Sequence, residues 1–203
     1  MITLYHAPKS RSSRFLWLLE ELGQPYRIET VSIRRSDGSG QRDDSYRQIQ
    51  PHGKVPSIVH DGVTVFESAA IALYLSDAFP EAKLGPRIGE PTRGPYLTWL
   101  AYYTGVFEPS FVCKAIGVTA PAGTAGWGPT EEVLGHIKAQ LERTPYLLGD
   151  SFSTADILFG SAFELFSGSP LLPHDPVFTS YVERLVARPA VARARDKEVA
   201  SAG

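Results

Sequence analysis

Two shortages in the sequence exclude several kinds of protein. Cys113 is the single cysteine among 203 residues, so neither a disulfide framework within the chain nor a thiolate metal site can form. The formal net charge is only −2, without a long run of one sign, which leaves no electrostatic footprint for nucleic acid or an anionic membrane. The five histidines show no metal-ligand spacing. We therefore expect no nucleic acid, no membrane and no metal as a partner.

Long apolar stretches are missing as well. No run approaches the roughly 20 apolar residues that a membrane-spanning helix needs. Met1 leads directly into the strand-like sequence ITLY, without the charged and apolar regions of a signal peptide. What is present, 43% hydrophobic and 21% charged residues, is the composition of an ordinary globular protein. We expect a soluble, cytoplasmic protein with one or two domains.

The N-terminal part alternates between strand and helix patterns. Residues 2–5 form a strand, apolar residues then recur at helical spacing as far as Gly23, and residues 26–33 form a second strand. The Asp61-Gly62 dipeptide favours a two-residue type I′ turn between two further strands, residues 56–60 and 63–66. A helix begins at Ser68. The predicted order is β-α-β followed by β-β-α.

The C-terminal part is predicted to be helical. Proline and glycine are concentrated between residues 80 and 95, which indicates a linker. Beyond it, aromatic residues recur at every fourth position from Trp99 to Phe111, and Ser153 with Asp156 forms a capping-box pattern. We predict an α/β domain over residues 1–82, a linker over 83–95 and an all-helical domain over 96–203.

Residues 50–75, QPHGKVPSIVHDGVTVFESAAIALYL, suit a small peptide-like anion. A cis bond after Val55 would turn its carbonyl and amide outward, as an open edge for an extended peptide. Ser68 is a good N-cap, and the free amides of the helix that it opens suit a carboxylate. Glu67 suits an ammonium group, and Lys54 suits a further carboxylate. The pair Glu67-Ser68 alone is more often a plain helix cap; its combination with the Val55 edge favours a ligand site.

The order of elements and several motifs together closely resemble the glutathione transferase superfamily over essentially the entire chain. The motifs are GKVP at 53–56, DG at 61–62, ES with AI and YL within 67–75, and YLLGDSFSTADI at 146–157. The segment SRSSRFLWLLEELGQPY, residues 10–26, is most similar to bacterial and fungal members with a serine-arginine first turn. The resemblance implies a thioredoxin-like N-terminal domain that binds glutathione as co-substrate, an all-helical domain that shapes an electrophile pocket, and a homodimer.

Carried over residue by residue, the resemblance assigns the ligand contacts. It implies that Val55 pairs with the cysteinyl backbone of glutathione, that Glu67 and Ser68 hold the γ-glutamyl end, and that Lys54 reaches a carboxylate. Tyr102 and Tyr103 are candidates for the electrophile pocket, although aromatic residues four apart are also what any buried helix shows.

The residue that activates the thiol has several candidates. A thiol with a pKa of about 8.5 is mostly protonated at neutral pH, so the enzyme has to stabilise the thiolate. Ser10 lies four residues before Arg14, the spacing of serine-type members of the family. Ser12, Arg11, Tyr5 at the end of the first strand, and the backbone alone are alternatives, and each serine is otherwise a helix cap. A cysteine mechanism is excluded, because no thiol lies near Arg11.

The predicted activity is conjugation of the glutathione thiolate to small apolar electrophiles. Two alternatives stay open. One is a glutathione-dependent disulfide reductase or peroxidase on the same fold, because no sequence feature specifies the second substrate. The other is a non-catalytic glutathione-binding protein, against which the intact GKVP and ES motifs count.

Overall fold

The computed structural model describes residues 1–41, 43–121 and 123–201. The strands and helices are, in chain order, β1 (Ile2–His6), α1 (Ser13–Leu22), β2 (Tyr26–Thr30), β3 (Ser57–His60), β4 (Val63–Phe66), α2 (Ser68–Ala78), α3 (Arg93–Tyr102), α4 (Glu108–Ala115), α5 (Thr130–Leu141), α6 (Thr154–Phe166), α7 (Pro176–Val186) and α8 (Pro189–Ala200). Short 3₁₀ turns occur at Tyr46–Gln48 and Pro80–Ala82. The chain divides into two compact units.

The first unit is a four-stranded mixed sheet with helices. It comprises Met1–Ala82 and the chain from Arg188 onward. The strand order is β2-β1-β3-β4, with β1 parallel to β2 and antiparallel to β3. Alternate side chains of β1 are buried, namely Ile2, Leu4 and His6, because successive residues of a strand face opposite sides of the sheet. This architecture confirms the predicted thioredoxin-like N-terminal domain.

The turn between β3 and β4 has the predicted geometry. Asp61 and Gly62 adopt φ angles of 48° and 84°, and a type I′ turn requires a positive φ at both central residues. The turn therefore joins the two strands in register, with His60 opposite Val63.

The last helix, α8, belongs to the first unit and not to the predicted C-terminal domain. We predicted that residues 96–203 form one helical domain, whereas α8 belongs to the first unit and packs against α1. Glu21 of α1 accepts two hydrogen bonds from Arg188, and Glu20 accepts one from Arg193. These partners lie more than 160 residues apart in the chain, so no local pattern in the sequence reports their pairing.

The second unit, Lys83–Ala187, confirms the predicted helical half, since the regular elements described there are helices. The aromatic series from Trp99 to Phe111 is buried, and a π-helical turn at Tyr103–Phe107 joins α3 to α4. Ser153 and Asp156 form the predicted capping box at the start of α6. Within the described residues, none of the helices combines the length and apolar character needed to cross a bilayer.

Replacing Asp156 with asparagine is expected to destabilise the second unit. Its buried carboxylate accepts hydrogen bonds from the backbone N–H of Leu147, from the N–H and hydroxyl of Ser153, and from the hydroxyl of Tyr181. An asparagine would present an NH₂ group to one of these donors, which should lower the free energy of unfolding by about 3 kcal/mol in urea denaturation. The control is Asp150→Asn at an exposed site; equal stability of the two variants would contradict the prediction.

Replacing Glu20 with glutamine should reveal how ion pairs hold α8. Burial alone would raise the pKa of Glu20, but hydrogen bonds from Lys197, Arg193 and Tyr26 lower it to about 2. Because this pKa lies below the ordinary glutamate value of 4.5, the stabilisation is present above pH 4.5 and is lost as the pH falls towards 2. In urea denaturation, Glu20→Gln should be less stable than wild type at neutral pH, and the difference should shrink on acidification. Glu29→Gln, at an exposed residue of β2, is the control. A difference that does not depend on pH would contradict the ionic explanation.

Candidate functional site

Strand register brings three separate segments of the first unit to one edge of the sheet. Tyr5, near the end of β1, pairs with Ser57, the first residue of β3, and Ser57 in turn pairs with Phe66, the last residue of β4. The turn after β1, the loop before β3 and the start of α2 therefore all leave the sheet at this edge. Eight of the ten predicted site residues, all except Tyr102 and Tyr103, lie on or beside these segments.

The backbone N–H and C=O of Val55 are unpaired within the described structure, as the sequence predicts. The Val55-Pro56 bond is cis, and β3 begins only at Ser57. Among the described residues, no hydrogen bond uses the N–H or the C=O of Val55. Such a free donor and acceptor on one residue matches the main chain of an extended peptide.

A buried glutamine shapes the loop that leads to Val55. The side-chain oxygen of Gln50 accepts hydrogen bonds from the backbone N–H groups of His52, at 2.7 Å, and of Lys54, at 3.0 Å. The Tyr46 hydroxyl donates to the carbonyl oxygen of Lys54 at 2.6 Å, and burial raises the pKa of Tyr46, so this hydroxyl keeps its proton. The Lys54 backbone is thus fixed while its side chain remains exposed.

The start of α2 differs in one detail from the prediction. Ser68 is the first helical residue, and the N-cap position belongs to Glu67, so the expectation that Ser68 caps the helix is wrong. Glu67 has φ 72° and ψ 128°, a conformation that costs a non-glycine residue roughly 1–3 kcal/mol. The first amide with a helical acceptor is that of Ile71, which bonds the carbonyl of Glu67. In the described structure, the N–H groups of residues 68–70 have no protein acceptor, and they form the positive end of the helix dipole.

The turn before α1 separates its two candidate serines by burial. Ser10 is half-buried, whereas Ser12 has no exposed surface. The Ser10 hydroxyl lies 2.8 Å from the Ser12 hydroxyl and donates to the carbonyl of Ala7 at 2.6 Å. Ser12 occupies the N-cap position of α1, but its side chain makes no capping hydrogen bond and turns towards the end of β1. Accessibility therefore favours Ser10 over Ser12 for contact with a ligand.

The other two candidates are Arg11, which lies between the two serines in the chain, and Tyr5 of β1. Arg11 is exposed on the turn. Tyr5 is half-buried, with its ring 5.3 Å from that of Tyr46. Because side chains alternate along β1, Tyr5 points to the face of the sheet opposite to His6.

Sequence reasoning overlooked two residues at this turn. His6, one of the five histidines without metal-ligand spacing, is fully buried, and its Nδ1 lies 2.8 Å from the Ser12 hydroxyl. Burial lowers the pKa of His6, and Glu198 of α8, with Oε2 at 3.4 Å from Nε2, opposes that effect. The alternation of Ile2, Leu4 and His6 could have indicated the burial of His6. No local signal could have indicated Glu198.

Tyr102 and Tyr103 belong to the second unit. Tyr103 is fully buried and donates its hydroxyl proton to Glu108 at 2.8 Å, so its ring offers no surface to a ligand in this conformation. Tyr102 is half-buried against Trp99 and His136, and burial raises its pKa. Of the two, only Tyr102 presents surface to a ligand.

Comparison with known protein families matches the first unit to one family. A profile described as "Glutathione S-transferase, N-terminal domain" matches residues 4–83. Glutathione S-transferase F10 of Arabidopsis thaliana is 30% identical over 171 residues, which cover 77% of each chain. The disulfide-bond oxidoreductase YfcG of Escherichia coli is 29% identical over 96% of this chain and 94% of its own. Glutathione S-transferase 3 of Schizosaccharomyces pombe is 47% identical over 75 residues, 37% of this chain and 29% of its own.

Solved structures extend the similarity to the whole chain. A glutathione transferase from Methylococcus capsulatus has a TM-score of 0.78 at 26% identity, covering 98% of this chain and 100% of the other. A theta class glutathione S-transferase from Xanthomonas axonopodis pv. citri, with glutathione bound, has a TM-score of 0.76 at 29% identity, covering 95% and 96%.

Proposed function

The chain belongs to the glutathione S-transferase superfamily, and from this premise we propose that it transfers the thiolate of glutathione to a small apolar electrophile. The observation that carries the proposal is the strand register that collects the open Val55 backbone, the free amides of α2 and the Ser10 turn at one sheet edge. Glutathione is a peptide with carboxylates at both ends, an ammonium group and a thiol, and each has a matching partner at this edge.

Each part of glutathione has an assigned contact in this proposal. The cysteinyl main chain pairs with the N–H and C=O of Val55 as an added strand. The carboxylate of the γ-glutamyl end accepts hydrogen bonds from the first amides of α2, beginning with Ser68, and its ammonium group binds Glu67. Lys54, whose exposed side chain is in no ion pair within the described structure, attracts the remaining carboxylate.

Ser10 is the residue that contacts the sulfur. Its half-buried hydroxyl stabilises the thiolate by donating a hydrogen bond, and the sulfur then attacks the electrophile and displaces the leaving group. The protein forms no covalent intermediate, so its contribution is the placement of glutathione and the stabilisation of negative charge on sulfur.

Replacing Ser10 with alanine should lower turnover much more than it weakens glutathione binding. Loss of one hydrogen bond to a charged group costs about 1.5–3 kcal/mol, which corresponds to a fall in kcat of about 10- to 100-fold. Steady-state kinetics with a chloro-nitroaromatic substrate measures kcat. The ultraviolet absorbance of the bound thiolate should show its apparent pKa raised by about 1–2 units.

Ser39→Ala is the matched control, because Ser39 is an exposed serine of the same unit whose hydroxyl bonds Asp37. It should retain the wild-type kcat. If Ser10→Ala also retains the wild-type kcat, Ser10 is not the thiolate donor.

A second candidate function is glutathione-dependent disulfide reduction, which similarity to the E. coli disulfide-bond oxidoreductase favours. The turn before α1 contains no cysteine. The glutathione thiolate would therefore attack the substrate disulfide itself, forming one mixed disulfide and releasing one substrate thiolate.

Turnover of a chloro-nitroaromatic and of a glutathione mixed disulfide, compared on the same preparation, should separate these activities. We expect the higher kcat/KM with the chloro-nitroaromatic; a higher value with the disulfide would reverse the assignment. Glutathione binding without turnover of either would indicate a non-catalytic protein.

The electrophile site, assembly and location remain predictions. Tyr102 is the proposed aromatic contact of the electrophile in the second unit, where it retains exposed surface. A homodimer, a cytoplasmic location and chemistry without a metal are expected from the sequence, and a detoxifying role follows only if the electrophile is toxic.

A further inference from the structure

A continuous hydrogen-bonded path runs from the surface of the Ser10 turn into the protein. The Ser10 and Ser12 hydroxyl oxygens are 2.8 Å apart, and Ser12 Oγ is 2.8 Å from Nδ1 of His6. Ser10 is half-buried, while Ser12 and His6 have no exposed surface. The path thus joins a partly exposed serine to a buried imidazole through one intervening side chain.

Glu198 of α8 ends this path. Its Oε1 accepts hydrogen bonds from the backbone N–H of Lys9, at 2.6 Å, and from the hydroxyl of Ser13, at 2.9 Å. Its Oε2 is buried and faces the buried Nε2 of His6 at 3.4 Å, and neither atom has another hydrogen-bond partner in the described structure. A buried carboxylate oxygen requires a donor, and the Nε2–H tautomer of His6 supplies it after an approach of a few tenths of an ångström.

This tautomer sets the direction of the hydrogen bonds. With the proton on Nε2, Nδ1 of His6 carries a lone pair and accepts the proton of the Ser12 hydroxyl. The Ser12 oxygen then accepts from the N–H of Ala7, at 3.1 Å, and from the Ser10 hydroxyl. The Ser10 proton has two acceptors in reach, the Ala7 carbonyl at 2.6 Å and Ser12 at 2.8 Å, and the second choice completes the path.

We propose that the thiol proton of bound glutathione passes through Ser10 and Ser12 to His6, and that Glu198 stabilises the resulting imidazolium. This inference rests on the proposed glutathione-dependent function. Ser10 contacts the thiol; His6 and Glu198 act through the serines and are positioning residues.

The transfer balances at every atom. The S–H bond breaks and its proton joins Ser10 Oγ, the former Ser10 proton joins Ser12 Oγ, and the former Ser12 proton joins Nδ1 of His6. The products are a thiolate and an imidazolium, and no proton enters the solvent. Afterwards His6 donates to Ser12, Ser12 donates to Ser10, and Ser10 donates to the sulfur, so every hydroxyl has a donor and an acceptor both before and after the transfer.

The charges around His6 suit an acceptor that is neutral before glutathione binds. Burial lowers the pKa of His6, which favours the neutral imidazole, and the Glu198 carboxylate opposes that shift. Its partner in β2 is Thr30, which carries no charge. Lys9 and Arg11 of the turn itself are charged and exposed. The other charged groups near the turn are Arg35, which bonds the carbonyl oxygens of residues 8 and 9, and Arg14, buried in the first turn of α1.

The test counts protons and thiolates in the same titration at neutral pH. Glutathione is added to wild-type protein in weakly buffered solution; ultraviolet absorbance reports thiolate formed, and an indicator dye reports protons released. S-methylglutathione, which lacks the ionisable thiol, gives the protons released by the rest of the ligand. After that subtraction we expect about zero protons per thiolate in wild type, because His6 retains the proton.

Two variants should prevent His6 from keeping the thiol proton, each in a different way. His6→Asn keeps an amide near Ser12 but cannot take up a proton. Glu198→Gln keeps an acceptor for Lys9 and Ser13 but removes the charge that stabilises the imidazolium. Each should release about one proton per thiolate formed, with less thiolate at neutral pH than in wild type.

Arg193→Gln is the control for loosening of α8. It weakens the contact of α8 with Glu20, which does not take part in the path from Ser10 to His6. The number of protons that this variant releases per thiolate should therefore equal that of wild type. Release of about one proton per thiolate by wild type would overturn the relay and leave the transferase function standing. Failure of wild type to bind glutathione would overturn both. The number of protons released per thiolate by wild type alone decides whether the relay operates. The test therefore remains valid even if a variant does not fold.

Discussion

The antiparallel pairing of β1 with β3 is the constraint on which the rest of the first unit depends. It places Tyr5 opposite Ser57 and thereby brings the ends of three strands to one edge. The same register buries Ile2, Leu4 and His6 on one face. Because side chains alternate along a strand, a slip of one residue would expose all three and turn Tyr5 inward. The edge of the sheet proposed to bind the ligand and the buried position of His6 are thus consequences of one set of backbone hydrogen bonds.

Burial distinguishes two serines, Ser10 and Ser12, that lie in the same short turn. Ser10 retains exposed surface and is the proposed ligand contact, whereas Ser12 is buried and lies between Ser10 and His6 in the hydrogen-bonded path. The two hydroxyls have the same chemistry, so their different roles arise only from position. A hydroxyl in contact with both a ligand and a buried imidazole would need a larger side chain; two serines in sequence cover the distance.

The C-terminal helix α8 packs against α1 and also contacts the turn that carries Ser10. Glu20 and Glu21 of α1 hold α8 by charged hydrogen bonds, and Glu198 near its end reaches the turn that carries Ser10. Such pairs can be buried because each carboxylate finds more than one donor, which offsets the cost of removing it from water. The turn is therefore held from one side by its own sheet and from the other by a helix at the opposite end of the chain.

The sequence by itself determined the element order, the type I′ turn at Asp61-Gly62, the capping box at Ser153 and the open backbone at Val55. These follow from interactions between residues close together in the chain, which leave a local pattern. The tertiary structure alone decided that α8 joins the first unit, that Ser10 rather than Ser12 stays accessible, and that His6 meets Glu198. Those outcomes depend on which side chains become buried and on contacts between residues as far apart as 6 and 198, and neither is encoded in a local pattern.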